Sequence, residues 1–455
     1  LNDLSIVILA AGKGSRMHSQ HPKVLQHLAG RPLLGHVLQA ARGASPAQIL
    51  CVVGGETQEA VKQTMSPADC VWVEQKEPLG TAHAVSQALP HIKAERVLVL
   101  LGDVPLITSK TLNEFISEVA PDALGLISYH AQNPYGFGRI LRNEHHLITG
   151  VVEEKDASDK QRLITEVASG IYLARRSDLE KWLPQIENEN ASGEYYLPDI
   201  VPIAAKQSAV VGMVLSDPAE ATGINDKAQL AHAERTIQRR YAQQLLQQGV
   251  TLLDPKRLDV RGEVSIGSDV TLDVNVILEG KVSIADNCTI GPNTILKNVV
   301  LGPGCEVRAN SIIEDASIGS EATVGPFARI RPGTILADGV RVGNFVEIKN
   351  SELGKNSKAN HLSYVGDAVV GRDVNIGAGT ITCNYDGVNK HQTVIEDEAS
   401  VGANSSLVAP VTVEQGATLG AGTVLTKDAP AGKLTLSRAK QSSVPNWQRP
   451  EEKEA

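Results

Sequence analysis

Aromatic side chains are scarce in this chain: Phe, Tyr and Trp together make up 3 % of its 455 residues. A core with so few rings has to be filled by Ile, Val and Leu. The five cysteines, Cys51, Cys70, Cys288, Cys305 and Cys383, are scattered, odd in number and without a C-x-x-C pair. That argues against a disulfide framework and a zinc site, and for a reducing cytoplasm. No apolar run reaches the ~18 residues of a membrane span, and there is no basic-then-apolar leader, so neither a span nor a signal peptide is expected. The net charge of −9 disfavours non-specific nucleic-acid binding but leaves room for local basic pockets. At 42 % hydrophobic and 21 % charged residues, the composition is that of a soluble globular protein, long enough for two or three domains of ~150 residues.

What the sequence does have is a six-residue rhythm from about Val264 to Asp428. Ile266, Leu272, Leu278, Ile284, Ile290 and Leu296 fall six apart. After a small phase break the count resumes at Leu301, Val307 and Ile313, then at Ile318, Val324, Ile330, Leu336, Val342 and Ile348. It continues through Val370, Ile376, Val401, Leu407, Val413, Leu419 and Leu425. An aliphatic residue every six positions, often followed by Gly, marks a hexapeptide parallel β-helix. Each six is a short strand and a corner, and the Gly or Asn beside the aliphatic eases the backbone where φ turns positive. Cys288 and Cys305 occupy the small fifth position of a six and read as core. Two places break the rhythm: Asn360-His361-Leu362-Ser363-Tyr364, and Cys383 to His391. Excursions that a solenoid does not need for stability are where function is expected.

The first half reads differently. Ser5-Ile6-Val7-Ile8-Leu9-Ala10 is a continuous apolar run suited to a buried parallel strand. It leads into Ala11-Gly12-Lys13-Gly14-Ser15-Arg16-Met17, followed by Pro22-Lys23. Small residues let backbone N–H groups approach a phosphate, and Arg16 and Lys23 supply charge. The dinucleotide fingerprint G-x-G-x-x-G fails at Met17, and the P-loop pattern fails because Val7 stands five before Gly12 and Gly follows Lys13. Strand and helix patterns then alternate, as in a doubly wound α/β domain. Arg96 to Leu101 is another apolar strand, ending at Gly102-Asp103. A carboxylate there is a ligand position for Mg²⁺, which takes one or two protein carboxylates plus substrate phosphates. Asn225, read alone, is a helix N-cap rather than a ligand, and either it or Asp226 can cap the helix that follows.

The run Leu9-Ala10-Ala11-Gly12-x-Gly14-Ser15-Arg16-Met17…Pro22-Lys23 resembles the signature of sugar-1-phosphate nucleotidylyltransferases. Joined to a long hexapeptide solenoid, it resembles the bacterial bifunctional N-acetylglucosamine-1-phosphate uridylyltransferase/glucosamine-1-phosphate N-acetyltransferase family over essentially the whole chain. The resemblance implies a Rossmann-like α/β nucleotidylyltransferase domain (1–226), a connecting helix (227–248), a left-handed parallel β-helix (249–436) and a C-terminal arm (437–455). It implies UTP and Mg²⁺ as co-substrate and metal in the first domain. There Leu9, Ala10, Ala11, Gly12 and Lys23 would contact the nucleotide, with Gln75, Gly80 and Thr81 at the uracil. Gly138, Glu153 and the position of Ala168 would meet the sugar, Asp103 and Asn225 the metal, and Arg16 and Lys23 the phosphates. Ala168 stands where the family usually has Asn, and Leu101 where an aromatic is common.

For the solenoid the resemblance implies acetyl transfer from acetyl-CoA to glucosamine-1-phosphate. An ammonium cannot attack a thioester, so a base must take a proton, and neutral imidazole suits that work. His361 is the expected base, with Glu347 as its orienting partner. Arg331, Lys349, Tyr364 and Asn375 are the expected sugar-phosphate contacts. Ala378, Asn384, Tyr385, Ala403, Ala421 and Arg438 match the acetyl-CoA side, although Ala403 stands where Ser is common. A homotrimer with sites between neighbouring chains is implied as well, and so is a role in supplying peptidoglycan and lipopolysaccharide precursors.

Overall fold

The computed structural model describes residues 3–449 apart from 13, 56 and 66–69. The chain divides into two compact units between Ile237 and Gln238. The helix Lys227–Gln247 runs across that division. Of the C-terminal arm, residues 450–455 lie outside the described residues, as does Lys13 of the glycine-rich turn.

The first unit is a mixed, mainly parallel sheet. Its main strands are β1 (Leu4–Ala10), β2 (Gln48–Gly54), β3 (Val71–Gln75), β4 (Arg96–Leu101), β5 (Leu124–His130), β6 (Glu166–Arg175) and β7 (Val210–Leu215). They lie in the order β7-β5-β6-β4-β1-β2-β3, with β6 antiparallel to β4 and β5. β1 is buried throughout, and alternate residues feed two apolar layers: Ile6 and Ile8 one, Val7 and Leu9 the other. That is why its sequence is apolar without alternation. β2 lies on one side of β1 and β4 on the other, so the crevice at their carboxyl ends is a topological switch point, where open α/β sheets place ligands.

A partly buried ion pair ties β5, β6 and the strand Arg139–Arg142 together. Glu166, at the start of β6, accepts from Arg142 Nε at 2.8 Å, from Arg142 Nη2 at 2.7 Å and from Ser128 at 2.7 Å. Burial pushes the Glu166 carboxyl up, but the Arg142 and Ser128 hydrogen bonds outweigh it and hold the group below its ordinary range. A depressed carboxyl stabilises the fold above its unfolded pKa, and that contribution disappears as pH falls through the folded value. Glu166→Ala should therefore cost about 2–3 kcal/mol at pH 7, less than for a fully buried pair because Arg142 is 30 % exposed. Urea unfolding of wild type and variant should differ at pH 7, and the difference should shrink as pH falls below the usual carboxylate range.

The second unit is a solenoid of parallel strands. One interior column runs Leu272, Ile290, Val307, Val324, Val342, Ala359, Ile376, Val401 and Leu419, each in register with the next. The aliphatic residues of the sixes from Leu272 to Leu425 join one continuous core. The phase break after Leu296 falls where the strand Ile295–Leu301 stacks on Val276–Ile284 with a register shift between Glu279 and Ser283. Asn298 turns that corner at φ 51°, so the missing residue is absorbed outside the core column. Cys288 and Cys305 are buried on successive coils, their thiols donating to Gly302 O at 3.2 Å and Gly319 O at 2.9 Å. Gln238 fastens the connecting helix to the first coil, donating to Val260 O at 2.8 Å and accepting from Val260 N at 2.7 Å.

Candidate active sites

In the first unit two cavities, of about 490 and 380 Å³, adjoin at Thr81, Leu101 and Asp103. Leu9, Ala10, Ala11, Gly12, Lys23, Gln75, Gly80 and Thr81 line the larger. Arg16, Gly138, Glu153, Ala168 and Asn225 line the other. Gly14, at φ 64°, lets Lys23 close on the turn: a Cβ there would lie 2.6 Å from Lys23 Cβ. The Lys23 ammonium donates to the Asp103 carboxylate and, at 3.0 Å, to Asn225 Oδ1. Asp103 follows β4, whereas Asn225 comes from the segment before the connecting helix, where Ile224 N bonds Asp103 O at 2.9 Å. Asn225 is not the helix cap. Asp226 is: its Oδ1 accepts from Gln229 N at 2.8 Å, while Gln229 Oε1 takes Asn225 N at 2.7 Å. The Asn225 side chain is thus left to face Asp103.

Two hard oxygens converging on a cation are a fit for Mg²⁺. Among the described residues no group of three or more His, Cys, Asp or Glu side chains could hold a metal.

Gln75 ends β3 buried, its Nε2 3.1 Å from Gly80 O and 3.0 Å from His83 Nδ1. His83, which sequence reasoning missed, orients Gln75. Its signal was present, since a helix opening at Thr81 puts residue 83 in the first turn beside the strand end. Gly80, at φ 121°, permits the close pass of the segment 193–199: a Cβ there would lie 2.4 Å from Tyr195 O. Thr81 Oγ1 accepts from Leu197 N at 2.9 Å, and Ala82 N donates to Tyr195 O at 2.9 Å. Gly80→Ala should therefore displace one wall shared by both cavities. We expect about a tenfold or greater loss in kcat/KM for the reaction at these cavities, with any activity of the second unit unchanged, checked by parallel assays.

In the smaller cavity, a Cβ on Gly138 would come 3.0 Å from Val151 Cγ1 and 3.1 Å from Glu153 Oε1, so glycine lets the Glu153 side chain lie close to the backbone. Burial, then the nearby Asp199 and Asp156, pushes the Glu153 carboxyl up. Ala168 N donates to Gly138 O at 2.9 Å. Leu101 fills the space beside Gly170, whose φ is 82°.

In the second unit, His361 ends the strand Lys358–His361 and is exposed at a corner. Its Nδ1 lies 3.1 Å from Asn344 Oδ1 on the coil below. Glu347 is not its orienting partner, because Glu347 accepts from Arg331 at 2.7 Å instead. With Asn344 oxygen accepting from Nδ1–H, Nε2 keeps its lone pair. Extending the strand register from His361 gives Ala378, Ala403 and Ala421 on the next three coils, a column about 14 Å long with Arg438 beside Gly422 at its foot.

Across the corner from His361, Glu347, Lys349 and Tyr364 lie on neighbouring strands of the adjoining face, with Arg331 paired to Glu347. Asn375 begins the strand Asn375–Ile376 on the His361 side. Asn384 is buried and donates to Asp367 and, at 3.4 Å, to Tyr364 Oη, so it stands with Tyr364 rather than with the alanine column. Tyr385 and Lys390 close a small hairpin in which Asp386 accepts from Val388 N at 2.8 Å and from His391 at 2.7 Å. Lys390, also missed in the sequence, returns toward Lys349, whose proximity pulls the Lys390 ammonium down. Crowded ammonium groups of this kind invite an anion.

Residues 6–163 match the model of the MobA-like NTP transferase domain, 260–350 that of the GMPPB C-terminal domain, and 392–427 that of the hexapeptide repeat of succinyl-transferase. The bifunctional protein GlmU of Nitrosospira multiformis is 51 % identical over 458 residues, covering 100 % of this chain and 99 % of its own. Those of Azoarcus sp. and Acinetobacter baumannii are 51 % and 49 % identical, each over 98 % of this chain and covering 99 % and 98 % of their own.

Proposed function

The chain belongs to the family of bifunctional GlmU proteins, and on that premise we propose that it makes UDP-N-acetylglucosamine in two steps, each unit performing one. The solenoid acetylates glucosamine-1-phosphate with acetyl-CoA. The first unit then transfers UMP from UTP to N-acetylglucosamine-1-phosphate and releases pyrophosphate. The observation that carries the bifunctional reading is His361, its Nδ1 tied to Asn344, heading the column Ala378, Ala403 and Ala421.

In the acetyl step the amino group of the sugar attacks the thioester carbonyl. His361 Nε2 takes the proton that the nitrogen must lose, and the thiol of CoA leaves. Small residues along the column leave room for an extended pantetheine arm, and Arg438 suits a CoA phosphate. Arg331, Lys349 and Lys390 hold the sugar phosphate, with Tyr364, Asn375 and Asn384 around the ring.

In the uridylyl step an oxygen of the sugar phosphate attacks the α-phosphorus of UTP. The attacking group is already an anion near neutral pH, so the protein supplies positioning and charge rather than a base. Asp103 and Asn225 would hold Mg²⁺, which supplies charge neutralisation at the phosphates. Lys23 and Arg16 bring positive charge to the same place. Gln75 faces the base and Glu153 accepts from sugar hydroxyls.

A homotrimer is supported by one corner of the solenoid. Asn310, Gly379 and Asn404 turn it with φ of 61°, 75° and 56°, as such residues do readily. Phe327, Phe345 and Leu362 turn it too, at 55°, 56° and 49°, yet are 50 %, 56 % and 62 % exposed. The two rings stack at 5.4 Å. Bulky residues held strained and exposed beside His361 fit contact with a second copy. Light scattering should give three times the 48.4 kDa chain mass, and Phe327→Asp with Phe345→Asp should lower it together with acetyl transfer. The five free cysteines support a cytoplasmic setting, and among the described residues no helix is long and apolar enough to cross a membrane.

The test is direct. Purified chain given glucosamine-1-phosphate and acetyl-CoA should release CoA thiol, and given UTP, N-acetylglucosamine-1-phosphate and Mg²⁺ it should release pyrophosphate. Failure of either reaction overturns the bifunctional reading.

A further inference from the structure

The sugar-side cavity has two hydroxyls that the reading above leaves unused, those of Tyr129 and Tyr172. The Tyr129 phenol has the Thr222 side chain beside it, whereas Tyr172 faces the carboxylates of Glu153 and Asp199. Tyr172, on β6, is 2 % exposed, its ring packed in the layer that holds Trp182 and Leu197. It lines the same cavity as Glu153, Gly138 and Ala168. Its hydroxyl has no hydrogen-bond partner among the described residues. An unpaired buried hydroxyl is costly, and a site that keeps one is built for something that arrives later.

On its own strand the polar groups that precede Tyr172 are already committed. Ser169 donates to Ile127 O at 2.8 Å and accepts from Ile171 N at 3.0 Å. Ala168 has no polar side chain, and its N–H is given to Gly138 O. Burial, then the Glu153 and Asp199 carboxylates, pushes the Tyr172 phenol well up, so that near neutral pH it is an O–H donor.

We propose that the Tyr172 hydroxyl is a sugar-selecting contact, donating a hydrogen bond to an oxygen of the sugar that Glu153 also binds. This rests on the reading that the cavity takes the sugar of N-acetylglucosamine-1-phosphate. A neutral donor beside an acceptor carboxylate matches a hydroxyl group, which accepts from one and donates to the other. It does not match a phosphate, which Glu153 would repel. In this chain the polar selection sits on Tyr172, while the wall at Ala168 and Leu101 is apolar.

Tyr172→Phe keeps the ring and removes the hydroxyl. The KM for N-acetylglucosamine-1-phosphate should rise about tenfold. The KM for UTP, kcat and acetyl transfer should be unchanged, and the melting temperature of the free protein should not fall. Glu153→Gln in the same assay is the reference. A raised sugar KM for Glu153→Gln with none for Tyr172→Phe overturns the role of Tyr172 and leaves the sugar site standing. No rise for either variant overturns both. A Tyr172→Phe protein that melts lower and loses affinity for UTP and sugar alike also overturns the proposal, because that is the behaviour of a purely structural residue.

Discussion

Replacing His361 with alanine should lower acetyl transfer by about 10²–10⁴-fold, the range for loss of a positioned general base, and leave uridylyl transfer at its wild-type rate. The expectation follows from geometry. The imidazole projects at an exposed corner, one ring nitrogen held by Asn344 at 3.1 Å and the other available. Its structural contribution is small, since it leaves the interior column to Ala359 beside it. The variant should therefore fold normally, and thiol-release kinetics should show the loss in kcat rather than in the KM for acetyl-CoA. Acetyl transfer that survives undiminished would sink the base assignment. Asn344→Ala should give a smaller loss of the same kind, because it frees the ring without removing it.

Asp103→Ala should lower uridylyl transfer by about 10²–10³-fold or more, with acetyl transfer intact. Asp103 and Asn225 are 122 positions apart in sequence, yet both receive hydrogen bonds from the Lys23 ammonium. Removing Asp103 leaves one neutral oxygen to hold a divalent cation and leaves Lys23 without its carboxylate. Raising Mg²⁺ should not restore the rate. Asp103→Asn retains an oxygen toward Lys23 but loses the charge, and should fall nearly as far. Pyrophosphate release from UTP and N-acetylglucosamine-1-phosphate measures both variants, and wild-type rates in either would remove Asp103 from the metal site.

The periodic parts of this protein were legible in its sequence because burial imposes the period. The aliphatic residues of the sixes from Leu272 to Leu425 stack in one core. β1 was legible for the same reason. What could not be read were contacts set by long-range packing. Asn225 and Asp226 both look able to cap the connecting helix, and long-range packing against Asp103 decides that Asp226 takes that task. Glu347 seemed a natural partner for His361, but the coil register brings Arg331 to Glu347 and Asn344 to the imidazole. Lys390 lay inside the stretch that broke the rhythm, yet nothing local says that the hairpin folds it back toward Lys349. Tyr172 is an ordinary strand tyrosine until the absence of a partner for its hydroxyl is seen.

The central claim is that two independent sites on one chain act in sequence. Full-length His361→Ala and Asp103→Ala proteins, each given glucosamine-1-phosphate, acetyl-CoA, UTP and Mg²⁺, test it by following CoA thiol and pyrophosphate together. His361→Ala should release neither, and should recover full pyrophosphate release when N-acetylglucosamine-1-phosphate is supplied. Asp103→Ala should release thiol and no pyrophosphate, and mixing the two proteins should restore both products. Pyrophosphate from His361→Ala without added N-acetylglucosamine-1-phosphate, or a mixture that restores nothing, would contradict the account.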